Sequence, residues 1–206
     1  MKMIGKLLII IGLTILAFYF VYNQSLEQKD NNDIEIYIEK TSIEEISIED
    51  EVEEANVKES QINNNEQNKN SIVYTAVLEI PKINLKKGLV DSTNNFSSIN
   101  YAISVDKNSN YPNEKGNFIL YAHSGNSNIA YFRNLNKVNI NDDIYVYFNG
   151  IKYHYIIYDK YDIEKTGKTK VITKKDDNYI TLITCNQERK GYQVVVVGKL
   201  KDKNLY

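Results

Sequence analysis

The chain has 206 residues, a formal charge of −2, two histidines and one cysteine. A single cysteine excludes an internal disulfide, and one cysteine with two histidines that lack close ligand spacing makes no zinc site. The small net charge hides a segregation: residues 23–70 carry fourteen acidic side chains against four lysines, and 71–206 carry thirteen against nineteen basic ones. That basic excess is diffuse, without the aromatic-interleaved stripe of a nucleic-acid binder.

The chain opens MKMIGKLLIIIGLTILAFYFVY, with no charge from Leu7 to Tyr22 and with Lys2 and Lys6 ahead of that run. About 20 apolar residues give roughly 30 Å of helix, enough to cross a bilayer. A cleaved signal peptide is the competing reading, but the exit FYFVYNQS is bulky where a signal peptidase needs small residues. Residues 1–22 are therefore expected to form an uncleaved transmembrane anchor. The preceding lysines place 23–206 on the extracytoplasmic side by the positive-inside rule.

Residues 23–70 follow as a separate segment. The early part, IEIYIEKTSIEEISIEDEVEEANVKES, alternates Ile with acid or Ser, and QINNNEQNKNS follows it. Its charge and its Asn/Gln tract predict an extended, self-repelling, disordered tether whose function is reach.

From Ser71 the texture becomes β-rich. IVYTAVLEIP stops at Pro81, and GNFILYAHSG reads as a buried strand ending in a loop. IYVYFNGIKYHYIIY is two alternating runs joined by Asn149-Gly150, the strongest short hairpin signal available. NYITLITC and YQVVVVGKL make a further strand pair, and only FSSINYAI and NIAYFRNLNKV look briefly helical. Many short strands and few helices predict one closed or nearly closed β-barrel over 71–206.

Chemistry gathers at two strand ends. Cys185 closes an apolar run before a polar turn, and His123 follows NFILYA and opens the stretch SGNSN. A thiolate is the nucleophilic form of cysteine, and a nearby imidazole can take the proton and later protonate a leaving amine. One such pair is the minimum set for acyl transfer through a thioester. His154 lies inside an alternating strand, where an imidazole is most simply a strand side chain.

At these residues the chain resembles the sortase family. TLITC at 181–185, followed by VVVVGK, is similar to the family's TLxTC signature, and YAHSG carries its histidine at the corresponding strand end. LEIPKINL, ending at Leu85, resembles the early strand of these enzymes, and NLNKVNINDDIYVYFNGIKYHY resembles their central hairpin. The resemblance runs in order over about residues 72–200. It implies an eight-stranded sortase barrel with short helices and a membrane-anchored cysteine transpeptidase, Cys185 being the nucleophile and His123 its partner. Such enzymes cleave a C-terminal sorting motif of secreted proteins, commonly of LPxTG type, between Thr and Gly, and pass the acyl group to an amine of a cell-wall precursor or a pilin. Thr184 is implied to bear on substrate or oxyanion; its plain reading is a β-former on the opposite strand face. No cofactor is expected; calcium dependence stays open, because acids such as Glu114, Asp176 and Asp177 could approach each other, although surface acids are usually just solvated. Papain-type peptidases place the cysteine before the histidine, and the SHGC motif of L,D-transpeptidases is missing.

The chain departs from the family at one position. Sortases carry an arginine directly before the valine run of the last strand, aimed at the oxyanion or substrate backbone; here that place is Gln193. The only arginines are Arg133 and Arg189. If hairpin register sets Gln193 opposite Cys185, the two share a face and the amide can donate to an oxyanion. Arg189, in the turn after Cys185, is the alternative donor. A neutral donor in place of a charged one forfeits about 1–2 kcal/mol, roughly a tenfold slowing. A third reading is a weakly active or inactive barrel that binds surface peptides without turnover.

Overall fold

A computed structural model describes residues 2–49, 72–92, 97–166 and 176–206. Strand β1 (Ala76–Ile80) stops where Pro81 removes the next ladder donor. A 3-10 turn over Pro81–Ile83, closed by Asn84 at a left-handed φ of 51°, reverses the chain into β2 (Leu85–Asp91). Strand β3 (Ile103–Val105) runs parallel to β2, and β4 (Gly116–Tyr121) runs antiparallel to β3.

The Asn149-Gly150 hairpin forms as expected between β5 (Asp143–Phe148) and β6 (Ile151–Glu164). Its two turn residues have φ of 47° and 71°, the positive values that a type I′ turn demands. Strands β7 (Asn178–Cys185) and β8 (Tyr192–Leu205) form the last pair. The order β1-β2-β3-β4-β7-β8-β6-β5, with β5 pairing back onto β1, closes the barrel. This is the mainly-β, eight-stranded architecture that the sequence predicts. The two segments expected to be briefly helical supply 3-10 turns at Ser97–Asn100 and Leu135–Lys137.

Alternation along the strands sends Leu78, Phe118, Leu120, Leu182, Val194 and Val196 into the barrel core. On β4, β7 and β8 many of the intervening residues are apolar as well, with the buried Thr181 hydroxyl donating to Asn117 Oδ1 (2.9 Å) among them. Ile119, Ile183, Val195 and Val197 form a second buried cluster on the other face, with Tyr121, Tyr161 and Ile163 packed against it. Strands covered on two faces read as unbroken apolar runs, which is why NFILYA and VVVV do not alternate. Strand β6 is less regular: its register against β8 shifts between His154 and Tyr155 and again between Ile157 and Asp159.

The N-terminal region departs from expectation. The helix α1 spans Lys2–Glu49, so residues 23–49 continue it instead of forming an extended tether. The remainder of the expected tether, residues 50–70, lies outside the described residues. Two physical reasons account for the helix. The apolar run has already supplied the nucleus, after which each added residue gains a hydrogen bond, and no Gly or Pro interrupts 23–49. The segment also has a partner, since residues 30, 34, 37, 38 and 41 share one helical face and that face meets the barrel. Ile34 is only 2% exposed and packs with Tyr74, Val77 and Tyr147. Asp30 accepts hydrogen bonds from Tyr74 and Lys87, the Tyr37 hydroxyl donates to Thr75 O (2.7 Å), and Thr41 meets the Tyr206 hydroxyl (2.6 Å). Burial and the Asp30 carboxylate hold the Tyr74 phenol far above its ordinary range. From Ile4 onward α1 is long and apolar enough to cross a membrane, and its exposed side chains there include Leu8, Leu16 and Phe20.

Because the docked face covers Val77 and Tyr147, Ile34→Glu in a chain of residues 23–206 should lower the unfolding temperature to that of residues 71–206 alone. Thermal unfolding by circular dichroism reads this directly. Unchanged melting would mean that α1 contributes nothing to the barrel.

Candidate active site

The site starts from the pairing of β4 with β7. These strands are parallel neighbours in strict register from Gly116↔Asn178 to Tyr121↔Ile183, so they leave the barrel at the same end. Two residues beyond the last pair stand His123 and Cys185. Cys185, still within β7, shares the face of Ile183, while His123 lies just past the end of β4.

One backbone and two side-chain hydrogen bonds tie the strand ends together past the ladder. The Ala122 N–H donates to Ile183 O (3.4 Å), the Thr184 hydroxyl donates to Ala122 O (2.8 Å), and the Ser124 hydroxyl donates to Cys185 O (2.7 Å). From the other side the Phe132 N–H holds His123 O (3.0 Å), while Arg133 donates to the carbonyls of Gly125 and Ser127, each at 2.7 Å. The backbone at both residues is therefore fixed while the side chains stay accessible. The His123 ring nitrogen Nε2 lies 3.5 Å from Asn100 Oδ1, and the Cys185 thiol is free and half-buried.

Gln193 falls where the register argument puts it. The β7–β8 ladder ends on the pair Cys185↔Gln193, and across β8 the same residue faces Ile163. Arg189 takes a different direction. Asn186 Oδ1 accepts the N–H groups of Glu188 (2.9 Å) and Arg189 (3.0 Å), and Gly191 at φ 84° closes the turn. The Arg189 guanidinium then lies 3.3 Å over the ring of Tyr192, whose strand position is on the face opposite Gln193. The geometry brings Gln193 beside the thiol and turns Arg189 away.

Thr184 matches the plain reading. It is buried on the face opposite Cys185, with its hydroxyl engaged by Ala122 O, where it braces the strand end. His154 sits at the other end of the long strands. Its ring bridges Asp143 (2.7 Å) and Asp202 (3.2 Å) and stacks on Tyr145. The nine residues from Gln193 to Asp202 span roughly 30 Å of strand, so His154 clamps β5 to β8 far from the thiol. Asp177 pairs with Lys199 (2.6 Å), which together with the Asn178 N–H holds its carboxyl below the usual carboxylate range, and Glu114 accepts from Asn110. Among the described residues no three His, Cys, Asp or Glu side chains form a metal site.

One residue near the thiol escapes the sequence reading. Lys165 follows the last residue of β6, and its Nζ lies 3.5 Å from Cys185 Sγ. Its N–H donates to Gly191 O (2.8 Å), which extends the β6–β8 pairing one step past Glu164↔Tyr192.

Comparison with known proteins bears on the family and the fold. The sortase domain family model matches residues 78–201. Among solved structures the chain is similar to the sortase D5 transpeptidase of Clostridium perfringens, with 24% identity and a TM-score of 0.55 over 63% of this chain and 79% of that one. It is also similar to sortase C1 of Streptococcus agalactiae (23%, TM-score 0.56, 62% and 67%) and sortase A of Listeria monocytogenes (22%, TM-score 0.57, 65% and 90%). At these identities the likeness is one of fold, and its spread over A, C and D types assigns no subclass. No curated protein matches the chain.

If Thr184 braces the strand end, Thr184→Val should destabilise the fold by about 1–2 kcal/mol, since it keeps the shape but removes the donor to Ala122 O. Thr184→Ser should restore most of that loss. Urea denaturation of the two variants measures both.

Proposed function

As this chain belongs to the sortase family, whose members are cysteine transpeptidases, we propose that it cleaves a C-terminal sorting motif of secreted proteins through a Cys185 thioester and transfers the acyl group to an amine. The observation that supports this reading is the parallel β4–β7 pairing, whose strands lead to His123 and Cys185 at one end of the barrel.

The steps follow from the residues. The Cys185 sulfur attacks the carbonyl carbon of the Thr–Gly bond, forming a C–S bond and placing negative charge on the carbonyl oxygen. The Gln193 amide, on the same face one strand away, donates to that oxygen. Collapse of the intermediate breaks the C–N bond, and His123 in its acid form gives a proton to the departing amine. A cell-wall or pilin amine then attacks the thioester, His123 takes back a proton, and the thiolate leaves. Helix α1 serves as the membrane anchor, with the barrel on the extracytoplasmic side. Support for that orientation comes from Lys2 and Lys6 ahead of the apolar run. Residues 1–22, 23–70 and 71–206 act as anchor, connector and catalytic domain.

A neutral amide where a cation is expected favours one further reading, a barrel that holds surface peptides and turns them over slowly or not at all. Cys185→Ala separates the two. It should abolish hydrolysis and transpeptidation of an LPxTG-bearing peptide and leave peptide binding intact; full activity would sink the enzyme reading. His123→Ala should cost nearly as much, whereas His154→Ala should lower stability and leave turnover per folded molecule unchanged.

Gln193→Ala should lower turnover by about ten- to a hundredfold, the loss that follows removal of one oxyanion donor. Gln193→Arg should be tolerated and Arg189→Ala should do little. Steady-state kinetics showing the reverse order of sensitivity would transfer the donor role to Arg189.

A further inference from the structure

Developing negative charge at the site, first on sulfur and then on the carbonyl oxygen, calls for a cation, and β8 offers only a neutral amide there. Three basic side chains at this end of the barrel are turned elsewhere. Arg133 is engaged by the carbonyls of Gly125 and Ser127, Arg189 lies on the Tyr192 ring, and Lys160 donates to the carbonyls of Asn136 and Val138. Lys165 differs from these, because its ammonium nitrogen lies 3.5 Å from the Cys185 sulfur, within hydrogen-bonding reach of that atom.

Its placement follows from strand pairing. The hydrogen bond from Lys165 N–H to Gly191 O continues the register that sets Ile163 opposite Gln193. Two residues farther along, Lys165 returns to the face carrying Ile163, Gln193 and Cys185. The side chain then reaches over β8 to the thiol on β7. A lysine suits that reach because its charge ends a flexible four-carbon stem.

Resting on the reading of Cys185 as the nucleophile, we infer that Lys165 is a catalytic residue: its ammonium donates to the ionised Cys185 sulfur and supplies the positive charge that Gln193 cannot. Charge and donor are thus divided between two strands. Lys165 stabilises the thiolate before attack, and Gln193 receives the oxyanion after it. As the C–S bond forms, the negative charge moves from sulfur to the carbonyl oxygen, and the mobile ammonium can follow it.

The test needs no knowledge of the natural substrate. Full-length protein in detergent is alkylated at Cys185 with iodoacetate, which is anionic, and with iodoacetamide, which is neutral; in each case a C–S bond forms and iodide leaves. The ratio of the two rates cancels the fraction of thiolate and reports the charge at the sulfur. Lys165→Met keeps the apolar stem and should lower the iodoacetate preference about fivefold, as expected for one partly screened charge within several ångströms. Lys165→Arg should restore it.

Acylation by p-nitrophenyl acetate supplies the catalytic readout. The sulfur displaces p-nitrophenolate to form a thioester, and the burst should slow about tenfold in Lys165→Met and recover in Lys165→Arg. A ratio unmoved by Lys165→Met overturns the inference, because the charge is then not at the sulfur. A lowered ratio with an unchanged burst overturns it too, since the contact then has no part in acyl transfer. Failure of the enzyme reading looks different: the wild-type burst would be missing, or would persist in Cys185→Ala.

Discussion

Everything at the site depends on a parallel pairing between strands about sixty residues apart in sequence. An antiparallel pair would carry the two chain ends to opposite rims and separate the histidine from the cysteine. Parallel neighbours need a long crossover, and here that crossover contains β5 and β6, which close the barrel against β1 and β8. Barrel closure and active-site assembly are therefore one event. Cross-ties beyond the ladder, from Thr184 to Ala122 O and from Ser124 to Cys185 O, stop the ends from fraying where a strand would ordinarily loosen.

Much of this was legible because the informative signals are local. Asn149-Gly150 specifies its turn through backbone conformation alone, and the apolar runs that end at Ala122 and Thr184 announce strands buried on two faces. The pair Cys185↔Gln193 could be anticipated because a hairpin's register is fixed by its own turn. Lys165 could not. Its face depends on counting alternation along β6, and two register shifts interrupt that count. The role of Thr184 was legible only as a choice between two faces, which alternation from the buried Leu182 decides.

Residues 23–49 show a different limit. Ile34, Ile36 and Ile38 alternate with Asp33, Glu35, Tyr37 and Glu39 and suggest a period of two, yet Ile34, Tyr37, Ile38 and Thr41 also fit a helical period. The partner surface selects between these periods, and that surface is built from Tyr74, Val77 and Tyr147, distant in sequence. Composition correctly shows that the segment has no core of its own. It does not show that the barrel provides one.

The docking also relates α1 to the site. Helix α1 packs on the side of the ring that holds β1, and the cysteine stands on β7, with three strands between them in either direction. Helix α1 nevertheless reaches the loop that follows His123, where the Asn128 amide donates to Asn23 Oδ1 (3.2 Å). Glu27, Asp30 and Asp33 of α1 line one cleft with Tyr131 and Arg133 of that loop. The proposed contact of the Lys165 ammonium with the Cys185 sulfur stands instead at the rim of β6, β7 and β8. Within the helix–barrel contact the charge of Asp30 is met by Lys87, so the acid that packs closest to the barrel already has its cation.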